Sequence, residues 1–247
     1  MTDEKRFSGI EGTEYDLVAR VAFQPALQAE DAIRDILSRA FYTTRKESIK
    51  VLELGCGTGI TTEEILDAHP RIHVDAIDNE PNMVKQADER LHSRQSYWLR
   101  FNISEHDALK FVTIYPKYSS SWRNYDAVVS GFMIHNLTKS YRAKLYPAIF
   151  EVLRKGGIFI NADKIAPDDL KEHRMYFNRQ MKQFDKLTEM GRKDLADAWK
   201  AHYERDNKSN LKLTESELIG GLKSAGFSDI SKVFRQFMEA VYIARKK

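Results

Sequence analysis

Cysteine is nearly absent. The 247 residues hold one, Cys56, which excludes an internal disulfide and any zinc site built from several cysteines. Long apolar runs are missing too: none approaches the roughly 20 residues of a membrane span. Residues 1–6 are polar, unlike the apolar stretch of a secretory leader, so the expectation is a soluble, cytoplasmic protein with no membrane partner. An excess of one charge is also lacking. Lys and Arg number 39 against 36 Asp and Glu, a formal charge of +3, too small to imply a nucleic-acid partner. No internal repeat or low-complexity stretch appears. What is present is ordinary for a soluble enzyme, 42% hydrophobic and 30% charged, with length for one α/β domain plus an insertion or cap.

The chain is organised around Ile49-Lys50-Val51-Leu52-Glu53-Leu54-Gly55-Cys56-Gly57-Thr58-Gly59. A short β-branched apolar run predicts a buried strand, and Ile60-Thr61-Thr62-Glu63-Glu64-Ile65-Leu66 after it has helical spacing. Glycines between strand and helix let backbone approach a ligand at a helix N-terminus. The spacing G-x-G-x-G departs from the G-x-G-x-x-G that cradles a dinucleotide pyrophosphate, and Glu53 stands two places before the first glycine. This acid-plus-triple-glycine motif resembles that of the class I, Rossmann-like S-adenosylmethionine-dependent methyltransferases. The resemblance implies S-adenosylmethionine as cofactor and S-adenosylhomocysteine as product, with Glu53, Gly55, Cys56, Gly57 and Gly59 around the cofactor's methionine end. Cys56 reads as a small packing residue of the turn.

Ile72-His73-Val74-Asp75-Ala76-Ile77-Asp78 predicts a second strand ending in an acid. Asp78 lies about 20 residues past the turn, where a carboxylate accepts from both ribose hydroxyls; the alternative is an N-cap for the helix starting near Pro81. Asn79 is a second candidate. By the same resemblance Asp107 and Ala108, after a third strand at about 97–103, would read adenine through the exocyclic amine and a ring nitrogen, whereas a bland Asp107 would cap a loop. Tyr125-Asp126-Ala127-Val128-Val129-Ser130 and the following Gly131-Phe132-Met133-Ile134-His135 resemble the family's fourth motif, placing the Ser130 carbonyl beside the cofactor. His135 would face the substrate as a base, or else orient substrate or hold a loop. Tyr15, with Asp16, is a candidate gate over the pocket, or simply packs.

The remaining chain predicts helices to about residue 44 and at 81–91, an irregular stretch at 111–124, a helix at 146–153 closed by Arg154-Lys155-Gly156-Gly157, and a fifth strand at 158–164. A helical hairpin follows, then a helix with a Thr214/Glu217 capping box and two last strands. The expected fold is thus α/β and Rossmann-like: a seven-stranded, mostly parallel sheet with an antiparallel last strand, helices on both faces and a helical insertion after strand 5. The single domain would comprise a helical cap (1–44), a cofactor-binding core (45–165), the insertion (166–212), capping the site or making a homodimer, and a C-terminal helix and strands (213–247). The expected activity is in-line methyl transfer to oxygen or nitrogen of a small molecule, with no metal. The layout also looks like carboxy-S-adenosylmethionine synthase, and a cofactor-binding module without turnover is a further alternative.

Overall fold

The computed structural model describes residues 12–118 and 124–247; the polar start at 1–6 and residues 119–123 of the stretch expected to be irregular lie outside them. Its centre is a seven-stranded sheet built from β1 (Ile49–Leu54), β2 (Ile72–Asp78), β3 (Phe101–Glu105), β4 (Tyr125–Gly131), β5 (Leu153–Lys164), β6 (Ser228–Gln236) and β7 (Glu239–Arg245). The order is β3-β2-β1-β4-β5-β7-β6. The β1–β2, β1–β4, β2–β3 and β4–β5 pairs are parallel, and β7 inserts antiparallel to both β5 and β6. Strand order reverses between β1 and β4, so a crevice opens beyond their carboxyl ends, where open α/β sheets bind ligands.

The helices are α1 (Gly12–Ala22), α2 (Gln24–Phe41), α3 (Ile60–Ala68), α4 (Pro81–His92), α5 (Ala108–Tyr118), α6 (Lys139–Val152), α7 (Leu170–Gln183), α8 (Asp185–Glu189), α9 (Lys193–Asp206) and α10 (Glu215–Ser224). The central strands are apolar on both faces because both are covered. On one face Leu52, Val128 and Phe159 pack with Phe111, Leu145 and Leu218 from α5, α6 and α10. On the other, Val51, Val129 and Ile160 meet Ile33, Leu37, Ile65 and Ala87 of α2, α3 and α4. A third core joins α1 to the insertion: Val18 and Ala22 bury against Phe184, Leu187, Trp199 and Tyr203. Arg142, wholly buried, ties α6 to α10 and the loop before it, donating to Glu217, Leu137 O and Leu211 O.

Four local expectations are corrected. Tyr97 is core but not strand: it sits in a 3-10 turn with its hydroxyl on Asp67, and β3 starts at Phe101 after Leu99 turns left-handed. The stretch from 108 is helix α5, since Phe111 and Val112 face the core; Pro116 lies inside it near the C-terminal end and lacks the N–H for one i→i−4 bond. Helix α6 begins at Lys139, capped by Thr138, and Arg154-Lys155-Gly156-Gly157 belongs to β5, where Gly156 at φ +74° donates to Lys246 O. The capping box is half made: Thr214 accepts from Glu217 N–H, but the Glu217 carboxylate is held by Arg142.

Candidate active site

Backbone geometry gives each glycine of the turn its own reason. Gly55, Gly57 and Gly59 have φ of +74°, +53° and +87°, which side chains disfavour. A Cβ on Gly55 would lie 2.3 Å from Met133 Cγ, and one on Gly59 3.2 Å from the Ala87 backbone, so these two allow close packing. A Cβ on Gly57 would meet no protein atom, yet Gly57 lines the crevice. That position keeps backbone open to a ligand.

Asp78 stands where β2 ends, facing the turn. Its Oδ2 accepts from Gly57 N–H at 2.9 Å and its Oδ1 from Glu80 N–H at 3.0 Å. The N-cap of α4 is Glu80, so Asp78 joins the two loops instead of capping the helix. Burial raises its carboxyl, and the bonds from Gly57 and Glu80 oppose that rise. Each oxygen keeps a further lone pair for a diol. Asn79 and Met83 line the crevice beside it.

Asp107 Oδ1 accepts from Lys110 N–H and from Tyr141 Oη, both at 2.9 Å, so it caps α5 while lining the crevice next to Ala108. Tyr141 Oη in turn accepts from Leu109 N–H at 2.8 Å, fixing this end of the pocket. Gly131 and Phe132 form the wall after β4. Phe132 is left-handed at φ +54°, held by its N–H on Ala162 O and by Asn136 Nδ2 on its carbonyl; such strain clusters at ligand sites.

Two expected contacts are not on the crevice wall. Ser130 is wholly buried within β4, and the lining begins at Gly131. Glu53 is wholly buried beneath the turn, its Oε2 accepting from Thr62 Oγ1 at 2.6 Å. Burial pushes its carboxyl up to about 8, against the pull of the Thr62 bond. Cys56 lines the crevice but is buried, and burial raises its thiol.

The crevice holds about 1160 Å³ counted to its open mouth. Next to it lies a second cavity of about 620 Å³, likewise counted to its open mouth, sharing Tyr15, Glu30, Ile60, Phe132 and Asn136 with the first. Tyr15, half-buried, lies 5.9 Å from the Trp199 ring, and Asp16 fixes α1 to the turn through Thr58 Oγ1 and Arg90. His135 lines the second cavity, with Nδ1 bonded to Asp163 and Nε2 3.9 Å from Asp206 Oδ2. Asp206 also holds Lys164, while Glu239, another wall residue, is pushed by burial up to about 7.

Sequence reasoning passed over Glu30, although the signal was there. Residues 26, 30, 33 and 37 share one helical face, and three of them are apolar. A carboxyl on that stripe is buried: Oε1 accepts from Thr61 at 3.3 Å, Oε2 has no partner, and burial pushes the group up to about 8. Asp163 and Lys164 at the end of β5, and Trp199 and Asp206 on the insertion, carry no local signature.

An α/β sheet of this order, with a glycine-turn crevice at its reversal, defines a Rossmann-like methyltransferase fold. A methyltransferase-domain family profile matches residues 52–159, which supports a class I S-adenosylmethionine-dependent methyltransferase. It is 25% identical over 199 residues to carboxy-S-adenosyl-L-methionine synthase of Nautilia profundicola, covering 80% of this chain and 77% of that one. It is 35% identical over 98 residues to malonyl-[acyl-carrier protein] O-methyltransferase of a Paenibacillus species, covering 40% of this chain and 34% of the other. The solved CurJ carbon methyltransferase superposes with a TM-score of 0.67 at 16% identity, over 98% of this chain and 60% of that one, a likeness of fold alone. No described helix is long and apolar enough to cross a membrane.

Proposed function

We propose that the chain transfers a methyl group to oxygen or nitrogen of a small molecule held in the second cavity. The observation that carries this is the pairing of two cavities across one wall of Tyr15, Glu30, Ile60, Phe132 and Asn136. The cofactor, when bound, supplies a methyl already activated on a sulfonium, so the chain's task is alignment and exclusion of water. In this reading Gly57 and Asp78, with Asn79, hold the ribose and methionine end, and Asp107 with Ala108 faces adenine. The residues fit: Gly57 leaves space where a side chain would project, and both aspartates keep acceptor capacity. Glu53 and Ser130 act from behind, shaping the turn and strand.

His135 is the base in this reading. Asp163 takes Nδ1, which leaves Nε2 as the nitrogen turned toward Asp206. The insertion acts as cap, since its apolar face is used within the chain against α1. A relative matching 80% of the chain by sequence is a carboxy-S-adenosyl-L-methionine synthase, which gives group transfer with a carboxylated cofactor as second reading. A carboxylate on the transferred carbon needs a cation; among the described residues no Lys or Arg lines the crevice, and Lys164 of the second cavity is already paired with Asp206. Methyl transfer is therefore favoured. Release of S-adenosylhomocysteine with a library of small acceptors tests it: a His135→Asn variant should lose about 10²-fold or more in turnover. Full activity in that variant would remove the base assignment, and a copurifying carboxylated cofactor by mass spectrometry would favour the second reading.

A further inference from the structure

We infer that the second cavity selects an amine as the methyl acceptor, its nitrogen at Glu30 and its carbon frame against the wall formed by Phe23 and Trp199. This rests on the methyl-transfer reading above and adds the acceptor's chemistry.

Charge is the first argument. Among the described residues the cavity presents the carboxyls of Glu30, Asp206 and Glu239 against one lysine, Lys164, which is ion-paired to Asp206. Burial biases Glu30 and Glu239 toward their neutral forms; a cationic acceptor favours their ionised forms, whereas a carboxylate or phosphate would disfavour them further and find Lys164 already paired to Asp206. The second argument is an orphaned atom. Glu30 is buried, Thr61 takes one oxygen, and Oε2 has no partner. Leaving a buried acceptor unmet is costly, so a ligand N–H there recovers what folding left out. The third is the aromatic wall. The Phe23 and Trp199 ring centroids lie 5.4 Å apart edge to face, and Tyr15 is 5.9 Å from Trp199. Such faces attract an alkylammonium, more strongly when water is excluded.

The chemistry balances with these groups. The alkylammonium held by the wall first gives one proton to Glu30, whose carboxylate form the adjacent cation favours. The freed nitrogen lone pair forms the new C–N bond, the C–S pair returns to sulfur, and the positive charge passes from sulfur to nitrogen. An alcohol offers no such charge to the wall before transfer, and its ether product carries none afterwards.

The test uses the full chain saturated with S-adenosylhomocysteine and calorimetry with three probes of similar frame: benzyltrimethylammonium, benzyl alcohol and benzoate. The cation should bind at least about tenfold tighter than either of the others. Glu30→Gln should cut the cation-over-alcohol preference about tenfold, and Trp199→Leu should cut it while Trp199→Phe retains most of it. The tryptophan pair keeps the test intact if Glu30→Gln does not fold. Benzoate or benzyl alcohol binding as tightly as the cation, or no probe binding to loaded protein, would overturn the inference. Failure to bind S-adenosylhomocysteine at all would overturn the cofactor reading instead, before any probe is added.

Discussion

Gly55 and Gly57 stand two residues apart in one turn, yet alanine at each should fail differently. At Gly55, φ of +74° costs an L-residue about 1–2 kcal/mol. The new Cβ would also sit 2.3 Å from Met133 Cγ and 2.6 Å from its Cβ. Those atoms are too near the backbone to swing aside, and overpacking adds about 1–3 kcal/mol. The total is roughly 2–5 kcal/mol, which for a chain of this size lowers the melting temperature by about 5–15 °C. At Gly57, φ of +53° carries the backbone cost but no clash, so the melt should fall only about 3–6 °C. The loss there appears in binding: a methyl projecting into the crevice should weaken S-adenosylhomocysteine at least about tenfold. Scanning calorimetry and titration on both variants decide it. A Gly55→Ala protein melting like the parent, or a Gly57→Ala protein binding like the parent, would refute the separate reasons given to these two positions.

Removing Arg142 as Arg142→Ala strands the buried partners that bind α6 to α10, and the expected cost of about 3–5 kcal/mol is read by denaturant unfolding. Glu53 is held up to about 8, mainly by burial, against an ordinary 4.5. The folded chain therefore keeps a proton that the unfolded chain releases. That contribution is complete below about pH 4.5 and is lost as pH rises through about 8. Glu53→Gln should lose less stability than the parent between pH 5 and pH 9 in thermal melts, and parallel pH profiles would contradict this. Asp163 positions His135 without lining either of the two cavities. Asp163→Asn should lower turnover about 10²-fold or more and alter the pH–rate profile, with S-adenosylhomocysteine affinity unchanged by calorimetry.

The parallel core was legible because its signals are local. Ala127 to Val129 is an unbroken apolar run, Val51 to Leu54 is interrupted only by Glu53, and Ile72 to Ile77 keeps apolar residues at 72, 74, 76 and 77, as mostly covered strands do, and glycine at φ +53° to +87° leaves a residue-level mark. The place of Arg154–Gly157 was misread because glycine beside basic residues marks both a helix stop and a strand bulge. Only pairing with Lys246, far along the chain, decides between them. Asp107 shows a different limit: one carboxylate caps α5 and faces the crevice together, so the two readings were never exclusive. The acceptor cavity was least legible. It is assembled from α1, α2, β5, β7 and α9, and Glu30, Lys164, Trp199 and Glu239 meet only through tertiary packing.

The most direct measurement is calorimetric titration of the purified chain and of Asp78→Ala with S-adenosylhomocysteine. One-to-one binding by the parent, weakened at least about tenfold in the variant, is the predicted result. No heat with the parent, or equal affinity in the two proteins, would contradict the account.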